Sequence, residues 1–307
     1  MYARVLRELA AAPVLAEVVD HPGWDSPGWD TPLRLLGGMN YLALVEGVDP
    51  WSDPVAFLDE RRVFLREFVA EQAVQTNEVR RSWPLLPVFL MLAREWGGAL
   101  ELLELGPSAG LNLIWDRYRY YYEAGSWGPR DAALDLSGEE LAAVPAELLA
   151  QQVAVVGRRG VDLAPVDAVS EHGALLLESF VWADQPARLE RLRTAIELLR
   201  RDPPELIQGD YVELLPELLA ARSGEAYTVV FETASTVYLS RERYERVLGT
   251  LADAGAKAPL GLVSTRQTAE AADGRHGWQL DLTTWPDGQR RTVAIGGPHG
   301  EWLEWRG

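Results

Sequence analysis

The stretch Leu100-Glu-Leu-Leu-Glu104-Leu-Gly106-Pro-Ser108-Ala-Gly110-Leu-Asn112 carries the reading of this chain. Its first half is a short apolar run of strand length, and its second half turns on glycines into Leu-Ile-Trp-Asp116-Arg, where a helix is expected. In an open parallel sheet, ligands bind outside the carboxyl ends of the strands. Glycines in the first turn let the main chain approach a ligand closely, and a helix N-terminus offers free N–H groups to an anion. The spacing is Glu-x-Gly-x-x-x-Gly and not the Gly-x-Gly-x-x-Gly of dinucleotide enzymes. Without a ligand, the same residues read as a tight strand-to-helix turn.

Downstream, strand-like runs occur at Val153–Val156 with Val161, at Leu206–Ile207, at Tyr227–Phe231 and at Leu260–Val263. Helical patterns separate them, most clearly Arg188–Arg201 and Arg241–Ala254. Strands alternating with helices predict an α/β doubly wound, mostly parallel sheet. The closing stretch 278–297 reads as two antiparallel strands joined at Pro286-Asp287-Gly288, a hairpin at the sheet edge. Residues 124–150 break the alternation and read as an insertion belonging to a lid or a substrate pocket.

Upstream, residues 1–98 read as a helical N-terminal portion of four or five helices, including Leu33–Val45, Val55–Gln75 and Leu85–Trp96. A turn-rich loop at 21–32 contains Pro-Gly-Trp-Asp twice. The domain expectation is therefore a helical cap (1–98) and an α/β domain (99–307).

Composition narrows the chemistry. The 307 residues carry a formal charge of −17, no cysteine and four histidines. Disulfides, thiolate metal sites and a cysteine nucleophile are excluded. His21, His172, His276 and His299 show no ligand spacing, so no metal centre is expected. The acidity argues against a nucleic-acid partner, which calls for a basic surface. No run approaches the roughly 18 to 20 apolar residues of a membrane span, and with no signal-peptide pattern a cytoplasmic location is expected.

The Glu104–Asn112 stretch resembles motif I of the class I S-adenosylmethionine-dependent methyltransferases. Gly160-Val-Asp162-Leu-Ala-Pro resembles that class's second-strand signature, whose acid takes both ribose hydroxyls. A carboxylate suits this because it accepts two O–H donors at once. The run Leu175–Asp184 is an alternative second strand, with Glu178 or Asp184 as the acid. Ile207-Gln-Gly209-Asp210-Tyr211 resembles the third strand, which places a carboxylate by the adenine amino group. Val229-Val-Phe-Glu232-Thr-Ala-Ser235 resembles the fourth, facing the transferred methyl. The resemblance implies a Rossmann-like methyltransferase sheet with S-adenosylmethionine as cofactor. It puts cofactor contacts at Glu104, Gly106, Ser108, Gly110 and Asn112, and then at Asp162, Asp210 and Tyr211.

Gln75-Thr-Asn77-Glu78-Val-Arg80, the Gly106 turn with Asp116-Arg-Tyr, and Arg159-Gly-Val-Asp-Leu-Ala-Pro-Val-Asp167 together resemble the bacterial domain-of-unknown-function family numbered 2332. Alanine stands at 183, where that family usually has proline. The family implies the methyltransferase-like fold and brings no established substrate or oligomeric state. The polar segment reads either as a cap, with Thr76 or Asn77 opening a helix, or as an element closing over the ligand. In the second reading Gln75, Asn77, Arg80 and Asp116 bind the acceptor, and Glu78 and Glu232 are the candidate bases. The expected activity is methyl transfer to a small-molecule or protein acceptor. The alternative is a non-catalytic nucleoside-binding or regulatory protein on the same fold.

Overall fold

The computed structural model describes residues 1–20, 28, 30–222 and 224–307, without the side chains of 267 and 268. The first Pro-Gly-Trp-Asp copy, and Pro27 and Trp29 of the second, lie outside the described residues. In chain order the α-helices are α1 (Tyr2–Ala10), α2 (Val14–Val19), α3 (Thr31–Glu46), α4 (Pro54–Glu60), α5 (Arg62–Glu71), α6 (Ser82–Trp96), α7 (Ala146–Leu149), α8 (Glu171–Ser179), α9 (Pro186–Arg200), α10 (Tyr211–Ala220) and α11 (Arg241–Gly255). The strands are β1 (Leu100–Leu105), β2 (Arg119–Tyr122), β3 (Gly125–Trp127), β4 (Asp135–Ser137), β5 (Glu139–Ala142), β6 (Val155–Asp162), β7 (Glu205–Gln208), β8 (Tyr227–Phe231), β9 (Leu260–Glu270), β10 (His276–Trp285), β11 (Gln289–Gly296) and β12 (Trp302–Trp305). The chain forms two compact units, Met1–Asn77 with Val166–Ile196, and Glu78–Pro165 with Glu197–Gly307.

The first unit is helical. Val5 and Leu9 of α1, one turn apart, pack with Leu35 and Met39 of α3, Leu58 of α4 and Leu65 of α5. The run expected as one helix over Val55–Gln75 breaks into α4 and α5 at Arg61, whose φ of −107° and ψ of 14° depart from helical values. The Asn40 amide nitrogen donates to the carbonyls of Ser179 (3.1 Å) and Val181 (3.0 Å), fixing α3 to the end of α8. Ser170 Oγ caps α8 by accepting the Gly173 N–H at 3.0 Å. The Leu175–Leu177 run is thereby helical, so Glu178 sits on a helix, and Asp184 lies in a turn.

The second unit is built on a nine-stranded sheet in the order β5-β12-β11-β10-β9-β8-β1-β6-β7. The five strands from β7 to β9 are parallel to their neighbours, and β9 to β12 form an antiparallel meander. The fold is thus mixed α/β with a mostly parallel sheet. Successive side chains of a strand face opposite ways. Leu103 and Leu105 pack with Val230 of β8, Leu215 of α10 and Leu251 of α11. On the other face, Phe89 of α6 meets Phe231 of β8 and Trp115, with ring centroids 5.3 and 5.0 Å apart. Glu104, between Leu103 and Leu105, falls on this second face.

Two expectations are corrected here. The segment after Gly110 is a short 3-10 helix, Leu111–Arg117, followed at once by β2. Leu111 through Trp115 are all buried, and Ile114, with φ −103° and ψ 26°, departs from the α-helical values inside the segment. The β10–β11 hairpin is interior, because β12 and, beyond it, β5 extend the sheet past it. The 124–150 region supplies β3 and β4 to a small sheet around β2, and β5 to the main sheet's edge.

Candidate functional site

The parallel strands run β1, β6, β7 to one side and then β8, β9 to the other, so the order reverses between β1 and β8. The carboxyl ends at such a switch point are where open α/β sheets bind ligands. After β1 the chain turns through Gly106 (φ 71°), Ser108 (φ 54°) and Gly110 (φ 76°), all in the left-handed region. A Cβ on Gly106 would lie 2.4 Å from Ser235 Cβ, so glycine is required there. Ser235 Oγ donates to the Leu105 carbonyl at 2.6 Å and joins the loop after β8 to the end of β1. The turn also needs Gly160, where a Cβ would meet Pro107 Cγ at 2.6 Å.

Asp162 ends β6. Its Oδ2 accepts the Ser108 N–H at 2.8 Å and its Oδ1 accepts the Ala164 N–H at 2.9 Å. Asp210, after β7, caps α10 by accepting the Val212 N–H at 2.9 Å, and its other oxygen pairs with Arg243. Tyr211 is buried, with its hydroxyl 3.5 Å from the Ser235 carbonyl.

Two carboxyls are enclosed on this face. Glu104 is 1 % exposed, and its Oε2 has no hydrogen-bond partner. Ser82 Oγ donates to Asn112 Oδ1 at 2.7 Å, and the Asn112 side chain hydrogen-bonds Glu104. Burial pushes the Glu104 carboxyl up to about 8; Asp162 adds to the rise, while Asn112 and Arg81 oppose it. Glu232 follows β8 and is fully buried. Its Oε1 accepts from Thr265 N (2.6 Å) and Oγ1 (3.2 Å), and its Oε2 from Thr236 N (3.4 Å). Burial raises its pKa against the pull of those bonds.

Of the remaining candidates, Glu78 is buried and caps the 3-10 turn Val79–Arg81 by accepting the Arg80 N–H at 3.2 Å. Glu78 therefore supplies the cap expected of Thr76 or Asn77. Arg80 Nε donates to the His299 carbonyl at 3.1 Å. Gln75 and Asn77 are buried residues of the first unit. Asp116 pairs with Arg158, which lies opposite Leu102, three residues short of the end of β1. Asp116 is therefore not among the strand-end residues. Tyr118 and Tyr120 are buried with their hydroxyls donating to main-chain carbonyls, of Leu111 (2.7 Å) and Trp115 (2.8 Å) respectively.

Arg81, Thr265 and Trp278 belong to none of the sequence motifs, and Ser235 only closes one of them. Arg81 Nε donates to the Pro298 carbonyl (2.9 Å) and Nη1 to that of Thr233 (3.0 Å), with the guanidinium 4.7 Å from the Trp278 ring centroid. Arg81 and Trp278, with Pro84, Leu85, Thr233, Thr265, Leu280, Gly297 and Pro298, line a small open pocket. The Arg80-Arg81 pair just before an apolar helix was the one signal available for this corner.

Over residues 1–305 the chain matches the family described as "Uncharacterized protein conserved in bacteria (DUF2332)". The chain belongs to this family. The DUF2332 match extends over both units, so the helical unit is as much a part of the family as the sheet. No curated protein matches the chain in sequence. No helix among the described residues is long and apolar enough to cross a membrane. No group of three or more acidic or histidine side chains among them is arranged to hold a metal ion.

Proposed function

We propose that the chain is an S-adenosylmethionine-dependent methyltransferase on a Rossmann-like sheet, acting on a small-molecule or protein acceptor. The observation that carries this reading is the sheet itself. Numbered along the chain, the five parallel strands stand in the order 3-2-1-4-5, with a glycine turn and acidic strand ends at the reversal point. The fit to a nucleoside cofactor rests on the left-handed turn through Gly106 and Gly110, and on the partnerless, buried Glu104 Oε2.

When bound, the cofactor supplies an activated methyl group. The chain's own residues orient it and exclude water. Asp162 and Asp210 offer carboxylate oxygens to the ribose hydroxyls and the adenine amino group, and each oxygen keeps accepting capacity beyond its present bond. Gly106, Ser108 and Gly110 bring main chain close to the ligand. Glu232 takes up the acceptor's proton where one must be lost, since burial raises its pKa and makes the carboxylate a stronger base than an exposed one. Most of the rate enhancement would come from positioning. Asp116 has no part in this proposal, because its pair with Arg158 lies away from the strand ends.

One observation favours the alternative of a non-catalytic nucleoside-binding protein: Glu232 already accepts hydrogen bonds from Thr265 and Thr236. Calorimetry with S-adenosylmethionine and S-adenosylhomocysteine tests both readings. Binding of both with methyl transfer in an acceptor panel is expected. Tight binding without turnover would favour the alternative, and binding of neither would remove both.

A further inference from the structure

Away from the switch point, the antiparallel meander carries a second charged centre. Side chains at paired positions share a face of a sheet, and successive ones along a strand alternate. Asp281 of β10 pairs with Ser264 of β9 and Thr292 of β11, Gln279 with Arg266, and Thr283 with Arg290. These residues therefore lie on one face, the one that Leu260, Leu262 and Trp285 share with α10 and α11 further along the same strands. The Asp281 carboxylate, 1 % exposed, is at the centre. Arg266 and Arg290 reach it from either side, each donating through Nε at 3.2 Å, and through Nη2 closer still, to the same oxygen, Oδ2. Oδ1 accepts from Gln279 Nε2 at 2.7 Å and from Thr292 Oγ1 at 2.8 Å. Burial alone would raise the pKa of Asp281, but the bonds from Arg290, Gln279, Arg266 and Thr292 outweigh it and hold the carboxyl below its ordinary value.

Two features separate this centre from an ordinary ion pair on a sheet. Two guanidiniums share one carboxylate, and neither pairs with another acid among the described residues, so the group keeps an excess of one positive charge. Joining β10 to a neighbouring strand would take one arginine, and drawing a second onto the same oxygen sets like charges side by side at a cost. Contact through Nε and Nη2 also uses only one edge of each planar fork. The edge formed by Nη1 and the remaining Nη2 hydrogen faces away from the carboxylate in both arginines, whose side chains are 58 % and 40 % exposed.

We propose that Arg266 and Arg290, held together by Asp281, bind a single phosphate group, as the free ion or on a small phosphomonoester. A terminal phosphate offers three strong acceptor oxygens and can meet two forks at once, whereas the two oxygens of a carboxylate are filled by one. Arginine suits this better than lysine, because its planar fork matches phosphate oxygens in pairs. A nucleic-acid backbone fits poorly, since a chain of charge −17 repels a polyanion that extends over its surface. A single small anion is spared most of that repulsion, because exposed charges are screened beyond about 8 Å in physiological salt. The site uses neither the cofactor nor the switch point, so it is independent of the methyltransferase reading.

The test titrates the full-length protein with inorganic phosphate, phenyl phosphate and acetate by calorimetry, with urea unfolding to show that each variant folds. One phosphate per chain is expected, with acetate at least tenfold weaker. Phenyl phosphate binding as tightly as phosphate assigns a phosphomonoester, and binding of phosphate alone assigns the free ion. Arg266→Gln and Arg290→Gln should each weaken phosphate binding at least tenfold. Arg291→Gln removes the same charge from the opposite face, where Arg291 meets Met91 and Glu95 of α6, and should leave binding unchanged. Asp281→Asn should weaken binding although it makes the group more positive, because the two forks are no longer held on one anionic oxygen. No phosphate binding, acetate as tight as phosphate, an equal loss in Arg291→Gln, or tighter binding in Asp281→Asn would overturn the proposal. A thymidine dodecamer that binds more tightly than phenyl phosphate would overturn it in favour of a nucleic-acid surface.

Discussion

The Asp162 carboxylate holds the Ser108 N–H at 2.8 Å and so ties the end of β6 to the turn that follows β1. Ser108 occupies a left-handed conformation (φ 54°) that non-glycine residues adopt at a cost, and this bond helps to offset it. The same acid thus shapes the turn and stands where a ribose would bind. Asp162→Ala should cost about 1 kcal/mol, the net worth of a hydrogen bond at a half-buried site. Asp162→Asn, which keeps an acceptor oxygen, should cost less. Urea unfolding measures the first effect, and S-adenosylhomocysteine titration of both variants measures the loss of affinity expected with it.

Gly106 and Gly97 separate crowding from conformational strain. Both have positive φ, 71° and 76°, but a Cβ at Gly97 meets nothing within 4 Å, whereas at Gly106 it collides with Ser235. Gly97→Ala should cost about 1–2 kcal/mol for the left-handed backbone alone. Gly106→Ala should cost clearly more and also weaken cofactor binding. Similar unfolding midpoints for the two variants would mean that Ser235 yields easily.

Stability should fall as the solution becomes alkaline. Glu104 is held protonated in the fold up to about 8, against an unfolded value near 4.5. The folded state therefore binds the proton more tightly, and its advantage is full below about 4.5 and is lost as pH rises to 8 and beyond. Each tenfold gain in proton affinity corresponds to roughly 1.4 kcal/mol. Glu232, whose pKa is also raised by burial, contributes with the same sign. Urea midpoints at pH 6 and pH 9 should differ markedly in the wild type and less in Glu104→Gln, which cannot ionise. An unchanged difference in the variant would place the pH dependence elsewhere.

Asp210 serves as both helix cap and proposed adenine contact, and two substitutions distinguish the roles. Asp210→Asn keeps an oxygen for the Val212 N–H, so it should change stability little, beyond the loss of the half-exposed Arg243 pair. Asp210→Ala removes the cap and should cost about 1 kcal/mol. If Asp210 receives the adenine amino group, S-adenosylhomocysteine affinity should fall in Ala. Affinity unchanged in Ala, with the cap cost seen in unfolding, would assign the residue to the helix alone.

What was legible in the sequence follows from locality. β1, β8 and the start of β9 are rich in apolar residues because a central parallel strand is buried on both faces, and the expected Tyr227–Phe231 coincides with β8. The helical pattern expected over Arg241–Ala254 coincides with α11, which buries Val247 and Leu251 one turn apart. The 3-10 helix after Gly110 was not legible, since its apolar run fits a buried α-helix equally well. The pairing of β5 with β12 joins segments far apart in the chain through short runs of mixed character. Arg81 was missed for the same reason: its partners Thr233 and Pro298 lie 152 and 217 residues away, and nothing in its own neighbourhood distinguishes it from Arg80.

The central claim is that the switch-point turn receives S-adenosylmethionine and no other adenine nucleotide. Native mass spectrometry of the purified protein, incubated with an equimolar mixture of S-adenosylhomocysteine, ATP and NAD, tests it most directly. The expected result is a single dominant adduct of one S-adenosylhomocysteine per chain, which Gly106→Ala diminishes. No adduct, or an adduct of ATP or NAD in equal or greater abundance, would contradict the account.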